Sequence, residues 1–339
     1  MPALPSRRLP SNEGHRDPSR ADLSDRVPAA RTARRPLAAA LTALVVLGLA
    51  ACAPATSGGA APTGSADAGT RTVTDARGEV EVPAAPKRVV VLEPVALDTS
   101  VALGEIPVGA AVLNETAGVP AYLGADAAGA EVVGTVPEPG VERIAALAPD
   151  LIIGTESRHA AIHDQLASIA PTVFLASQAD PWRDNVALVG EALGRADDAA
   201  ALLGDYQARC DAIAQEYAVA GTTAQMIRPR DGLLTLYGPE SFAGSTLECA
   251  GFTTPERDWE GSISVDLSPE KVLEARADQV FVTTTDVDDA SSVPAAITDN
   301  AASFPALHLV DQSYWITGVG PLGGLKVLDD IEDVLRAAR

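Results

Sequence analysis

Three features of the sequence predict an α/β fold of two Rossmann-like lobes bridged by a single long helix. The first is the stretch 196–218, ADDAAALLGDYQARCDAIAQEYA. In it Ala199, Leu203, Tyr206, Cys210, Ile213 and Tyr217 recur at alternating spacings of four and three, which sets them on one helical stripe, and charged or amide side chains fill most of the other faces. At 1.5 Å per residue such a helix is about 35 Å long, enough to act as a strut. The second is a pair of matched segments flanking it, ERIAALAPDLIIG from Glu142 and EKVLEARADQVFV from Glu270. Each starts with Glu, places Ile144 or Val272 two positions on and Asp150 or Asp278 eight positions on, and then enters an apolar strand. Matched helix-to-strand units on both sides of a long helix predict two similar α/β lobes. The third is the run RVVVLE from Arg88, continuously apolar as a buried parallel strand should be.

At 339 residues the chain has room for two domains, each with its own core, and 47% apolar with 21% charged residues is a globular composition. The net charge of −21 argues against a phosphate-binding surface, which needs clustered Lys and Arg, so no nucleic-acid partner is expected. Only Lys87, Lys271 and Lys326 are lysines, a skew toward Arg that reflects genome composition rather than function.

Residues 1–51 read as a targeting segment: Arg31, Arg34 and Arg35 form a basic flank, and residues 36–51 are an apolar run too short to span a membrane comfortably. The run ends in Leu49-Ala50-Ala51-Cys52, small residues before a thiol. Without this segment and its eight Arg and four acids, the chain carries a net −25. Residues 52–70, rich in Gly, Ala, Ser, Pro and Thr, read as a disordered tether.

From residue 71, TVTDARGEVEVP is a hairpin turning at Gly78, and PVALDTSVALG after Glu93 is a helix closed by Gly104. Two cysteines remain after Cys52. Cys210 and Cys249 could pair in an oxidising compartment; their places on an apolar stripe and at a helix end favour buried free thiols.

The segment VTDARGEVEVPAAPKRVVVLEPVALDTSVALGEIPVG, together with the Cys52 lipobox, resembles the opening of the substrate-binding lipoproteins of ABC importers for iron-siderophores, a family that includes haem and cobalamin receptors. GTVPEPGVERIAALAPDLIIG, LYGPESFAGSTLECAGF, DLSPEKVLEARADQVFV and YWITG extend the resemblance to most of the chain. It implies a helical-backbone substrate-binding protein with a lobe at 71–195, the bridging helix at 196–218, a second lobe at 219–339, and a ligand in the cleft between. It also implies diacylation of Cys52, and acyl chains worth about 0.8 kcal/mol per buried methylene hold a protein at a membrane surface. Glu142 and Glu270, one per lobe, are by the same resemblance the contacts to Arg residues of the permease, which works with an ATPase. A monomer is expected.

Strand-end loops line such a cleft. In the first lobe they offer Glu93, Asn114, Tyr122, Arg158, His159 and Trp182; in the second, Arg228, Arg230, Tyr237, Phe242, Trp259, Tyr314 and Trp315. A ferric siderophore already saturates its metal, so it needs aromatic walls and Arg donors rather than protein ligands. The expected ligand residues are therefore Arg158, Trp182, Arg228, Arg230, Tyr237, Trp259, Tyr314 and Trp315. No cofactor and no metal ligand is expected: His159 and His163 share a spacing of four but read as a solvated helix face. For haem, Tyr122 or His159 could serve. A hydrolase is the distant alternative, but no G-x-S-x-G elbow, phosphate loop or paired-Cys zinc motif occurs, and Ser241 reads as a helix cap. The expectation is a lipid-anchored extracytoplasmic receptor without catalytic residues, with haem or cobalamin as the alternative ligands.

Overall fold

The structure is a computed structural model that describes residues 69–179 and 181–339; the targeting segment, Cys52 and most of the tether lie outside them. The described chain opens with a hairpin of β1 (Thr70–Asp75) and β2 (Gly78–Pro83). The first main sheet holds β3 (Val89–Val91), β4 (Gly109–Val112), β5 (Glu131–Thr135), β6 (Leu151–Thr155) and β7 (Thr172–Leu175), all parallel, in spatial order β5-β4-β3-β6-β7. Every residue of β3, β4, β6 and β7 is buried, because helices cover both faces of a parallel sheet.

The second sheet holds β8 (Ala224–Arg230), β9 (Leu233–Tyr237), β10 (Ser264–Leu267), β11 (Gln279–Thr284) and β12 (Leu307–Asp311), in order β10-β9-β8-β11-β12. Counted in chain order, the two sheets have the same strand sequence, 3-2-1-4-5. They differ in direction: β9 is antiparallel to β8 and β10. Only Asp231 and Gly232 separate β8 from β9, and their φ values of 52° and 76° make the left-handed pair of a tight hairpin, leaving no chain for a crossover helix. The expected likeness of the lobes therefore holds for strand order and fails at this strand.

The α-helices among the described residues are, in chain order, α1 (Pro94–Ala102), α2 (Val141–Ala146), α3 (Glu156–His159), α4 (His163–Ala167), α5 (Trp182–Leu193), α6 (Ala196–Tyr217), α7 (Phe242–Cys249), α8 (Ala295–Thr298), α9 (Gln312–Trp315) and α10 (Pro321–Ala337). None is long and apolar enough to cross a membrane. In α6 the stripe residues Ala199, Tyr206, Cys210 and Ile213 are buried and Leu203 and Tyr217 partly so. They join a single core that runs from Val73 in the hairpin to Leu335 in α10, through α1, α5, α6 and α7. Each sheet adds a smaller core on its other face. The two lobes thus share one helical layer instead of owning wholly separate cores, a construction that resists wide opening.

The matched segments have a structural purpose. Asp150 accepts the N–H groups of Lys87 and Arg88 at the entry to β3 (2.7 and 2.9 Å), and Asp278 accepts the N–H and hydroxyl of Thr223 at the entry to β8 (both 2.8 Å). Ile144 and Val272 are buried beneath. The second segment, Pro269–Ala275, is a 3-10 helix where the first is α-helical.

Cys210 and Cys249 form a disulfide between α6 and α7, contrary to the expectation of free thiols. Once α7 packs on the bridging helix, the two Cα atoms stand 5.3 Å apart, within reach of a bond, a proximity that residues 39 apart in sequence do not reveal. Replacing both by Ala is expected to lower the unfolding free energy by about 2–4 kcal/mol through the loop released in the unfolded chain. Chemical denaturation of the oxidised protein and the double variant measures this.

Candidate functional site

Open α/β sheets bind ligands beyond the carboxyl ends of their strands, where strand order reverses. In the first sheet that point lies between β3 and β6, which lead into Glu93 and Arg158. Glu93 is 2% exposed, and Arg158 Nε stands 3.1 Å from its Oε1. The pair lacks hydrogen-bond alignment, the Arg158 Nε–H being directed to Gln178 Oε1 at 3.4 Å. Burial pushes the Glu93 carboxyl up to about 7, against the pull of Arg158.

Among the described residues three cavities open between the lobes: one of about 430 Å³ lies among Trp182 and Arg183 of the first and Glu240 and Ser245 of the second, and two others reach residues beside the Glu93–Arg158 pair. The larger of these two, about 420 Å³, is walled by Pro94, Leu97, Val112, Asn114 and Tyr122 on one side and by Thr285, Asp311, Gln312, Ser313 and Thr317 on the other. Its size lies within the range of small-molecule sites. The smaller, about 70 Å³, lies among Gln178 and Trp182 of the first lobe and Tyr237, Phe242, Trp315 and Val319 of the second. The Glu93–Arg158 pair links their walls: Pro94 of the larger follows Glu93, and Gln178 of the smaller accepts from Arg158.

The cavity at Tyr122 rests on a polar joint that the sequence reading missed. Asp98, fully buried in α1, accepts the Tyr122 hydroxyl (2.9 Å) and the Leu322 and Gly323 N–H groups (2.9 and 2.8 Å) in the first turn of α10. A carboxylate at a helix N-terminus is favoured by the helix dipole. Gly320, at φ +152°, is required there, since a Cβ would fall 2.3 Å from Asp98 Oδ1. Burial still dominates and raises the Asp98 carboxyl to about 6.

The expected ligand residues divide into groups. Arg158, Trp182, Tyr237 and Trp315 border the cleft cavities or hold their walls. Trp182 and Trp315 are buried and show the smaller cavity little surface: Trp182 Nε1 donates to Ser245 Oγ (3.2 Å) while its ring meets Tyr206 and Phe242 edge-on, and Trp315 stacks on Phe281 and donates to Asp330 (2.8 Å). Tyr314 packs edge-on against Tyr122, centroids 6.0 Å apart, and its hydroxyl is held by Asp330 at 2.9 Å. Arg228 and Arg230 end β8, the matching switch point of the second sheet, outside the lining of all three cavities. Arg230 is engaged with Thr235 (3.1 Å) and Asp266 (3.5 Å), whereas the half-buried Arg228 side chain has no polar partner among the described residues. Trp259 stands apart, beside Arg257, Pro239 and Thr254 in a groove of the second lobe alone, where it fills the space a Gly238 side chain would need.

His159 is buried rather than solvated: Nδ1 accepts the Thr155 N–H (3.0 Å), Nε2 lies 2.8 Å from the Val136 carbonyl, and burial lowers its pKa. Its α3 ends there and His163 begins α4, so the two imidazoles share no helix face. No cluster of potential metal ligands occurs among the described residues. Ser241 caps α7, accepting the Gly244 N–H (3.0 Å) and donating to the Gly238 carbonyl (2.6 Å). Glu142 and Glu270 are exposed in the first turns of their helices; the Glu270 carboxyl is held low by its own N–H and by Ser268.

A family model described as periplasmic binding protein matches residues 89–306. The probable siderophore-binding lipoprotein YfiY of Bacillus subtilis is 35% identical over 285 residues, covering 78% of this chain and 87% of that protein. The Fe(3+) dicitrate-binding periplasmic protein FecB of Escherichia coli is 33% identical over 54% of this chain and 62% of its own length. Among solved structures, Staphylococcus aureus SirA complexed with staphyloferrin B aligns with a TM-score of 0.64 at 27% identity, over 79% of this chain and 99% of that one. A periplasmic solute binding protein from Mycobacterium smegmatis shares the fold, with a TM-score of 0.68 at 24% identity over 80% of this chain and 99% of that one.

Proposed function

Because the chain belongs to the periplasmic binding protein family, whose members are substrate-binding proteins, we propose that it captures a ferric siderophore between its lobes and delivers it to an ABC permease and its ATPase. The observation that carries the reading is the agreement of a 35% identical siderophore-binding relative with an inter-lobe cavity of about 420 Å³. In this reading the lobes are 71–195 and 219–339, joined by the helix within 196–218. The chelate rests against Tyr122 and Tyr237, Arg158 supplies donors to its oxygens, and Arg228, outside the cavity linings, stands at the margin. Trp182, Tyr314 and Trp315 support the wall, and Arg230 and Trp259 stand at its margin. Glu142 and Glu270 meet the permease, and Cys52 carries the lipid that holds the monomer on the extracytoplasmic face of the membrane.

Haem fits less well. Tyr122 is committed to Asp98, His159 spends both ring nitrogens internally, and Met226 is fully buried. Ser241, the serine weighed for a hydrolase, is engaged in its helix cap. Calorimetric titration with ferric citrate, a ferric catecholate, a ferric trihydroxamate, haemin and cobalamin tests the reading. Saturable binding of one ferric chelate at micromolar concentration or below is expected; preference for haemin or cobalamin would replace it.

A further inference from the structure

Resting on the ferric-chelate reading, we propose that Glu93 is a positioning and specificity residue: it presents Arg158 to the cleft, and when Arg158 engages an anionic chelate, Glu93 takes up a proton. The argument starts from position. Both residues lie at the carboxyl ends of neighbouring strands, at the point where strand order reverses. Glu93 is 2% exposed, so water does not stabilise its charge. Arg158 is the one charged group acting on it, and the Thr155 hydroxyl is its neutral neighbour. His159, next to Arg158, is kept neutral by burial, Gln178 carries no charge, and Asp98 further along α1 is committed to Tyr122 and α10. One cation therefore balances one buried anion, with no second cation in place to relieve it.

Arg158 is held loosely enough to be drawn away. Its contact with Glu93 is an ion pair without hydrogen-bond alignment, 32% of its side chain is open to solvent, and its terminal nitrogens have no partner among the described residues. A planar guanidinium with its fork free matches the paired oxygens of a carboxylate. Once the fork turns to an anionic ligand, Glu93 shares its counter-ion, and a buried carboxylate in that position neutralises rather than remaining charged. The step is a proton transfer alone: one H⁺ from solvent adds to a Glu93 oxygen, and no other bond is made or broken. A cationic chelate leaves Arg158 on Glu93 and needs no proton.

Wild type and Glu93→Gln are titrated calorimetrically with ferric citrate and with the cationic trihydroxamate ferrioxamine B, between pH 6 and 8, in buffers of different ionisation enthalpy. For wild type and ferric citrate the expected result is proton uptake that is small at pH 6 and rises toward one per ligand at pH 8, with Kd rising toward a limit of about tenfold per pH unit above pH 7. The Glu93→Gln variant should show no such uptake; chelate speciation is common to both proteins and cancels in the ratio of their constants. Ferrioxamine B should show no difference in proton uptake between the proteins. Equal proton uptake by wild type and variant with ferric citrate would overturn the proposal. A second arm needs no ligand: the Glu93 carboxyl carbon, followed by NMR, should titrate at higher pH in Arg158→Gln than in wild type, and an unmoved titration would likewise overturn it. Should neither chelate bind while that titration moves, the Glu93–Arg158 coupling stands and the ferric-chelate reading falls.

Discussion

Exchanging both Glu142 and Glu270 for Lys is expected to abolish transport while leaving the affinity for chelate within about twofold of wild type, because like charges brought face to face cost several kcal/mol and both sites lie outside the cleft. Each carboxylate is exposed, at the start of a short helix that leads into a strand of its own sheet, β6 or β11. Asp150 and Asp278 lock those segments to neighbouring strands, so each Glu is presented from a fixed base. A role in complementing the dipole of its own helix is worth only about 0.3–1 kcal/mol, and its loss would show as a minor stability change. Uptake of labelled iron by cells carrying the double variant, beside equilibrium binding by the same purified protein, separates the two roles. Undiminished uptake would remove Glu142 and Glu270 from the permease contact.

Asp98→Ala should lower the unfolding free energy by about 2–5 kcal/mol, since each buried donor left without an acceptor costs about 1–3 kcal/mol. The substitution orphans two N–H groups at the start of α10 and the Tyr122 hydroxyl, all buried or partly buried, and leaves a void between α1 and Gly320. Asp98→Asn keeps the shape and one acceptor oxygen, so its loss should be smaller. The pH dependence has a definite sign. The Asp98 carboxyl is held near 6 in the folded protein, above its ordinary 3.8, so the folded state binds the proton more tightly. Its contribution to stability is therefore greatest below the ordinary value and declines as pH rises toward 6. The stability advantage of wild type over Asp98→Asn should shrink between about pH 4 and 6 and level off above. Denaturant titrations across that window measure it.

Local periodicity carried much of this architecture. The stripe of α6 faces the core, with Ala199, Tyr206, Cys210 and Ile213 buried and Leu203 and Tyr217 partly so, the hairpin turns at Ala76-Arg77 just before Gly78, and α1 runs from Pro94 as its sequence requires. Glu93 and Arg158 were legible as strand-end residues; their pairing was not, because it depends on which strands become neighbours. Asp98 was less legible still. It reads as one polar residue in an apolar helix, and two of its three partners, Leu322 and Gly323, lie more than 220 residues away. Aromatic residues near strand ends gave the same signal whether they border a cavity, as Tyr122 does, or fill a core, as Trp315 does. The reversed strand β9 was written in the Asp231-Gly232 pair, a hairpin turn too short for the crossover that a second all-parallel lobe demands.

A bound ferric chelate is expected to occupy the space between Tyr122 and the Asp311–Thr317 segment. Ala121, exposed on the rim of that cavity and outside the core, offers a direct test. Calorimetric titration of wild type and Ala121→Trp with the ferric chelate that wild type prefers is the measurement. The indole should fill the cavity and weaken binding by about a hundredfold or more, equivalent to roughly 3 kcal/mol, with thermal stability unchanged. Equal affinity in the two proteins would place the ligand elsewhere and contradict the account.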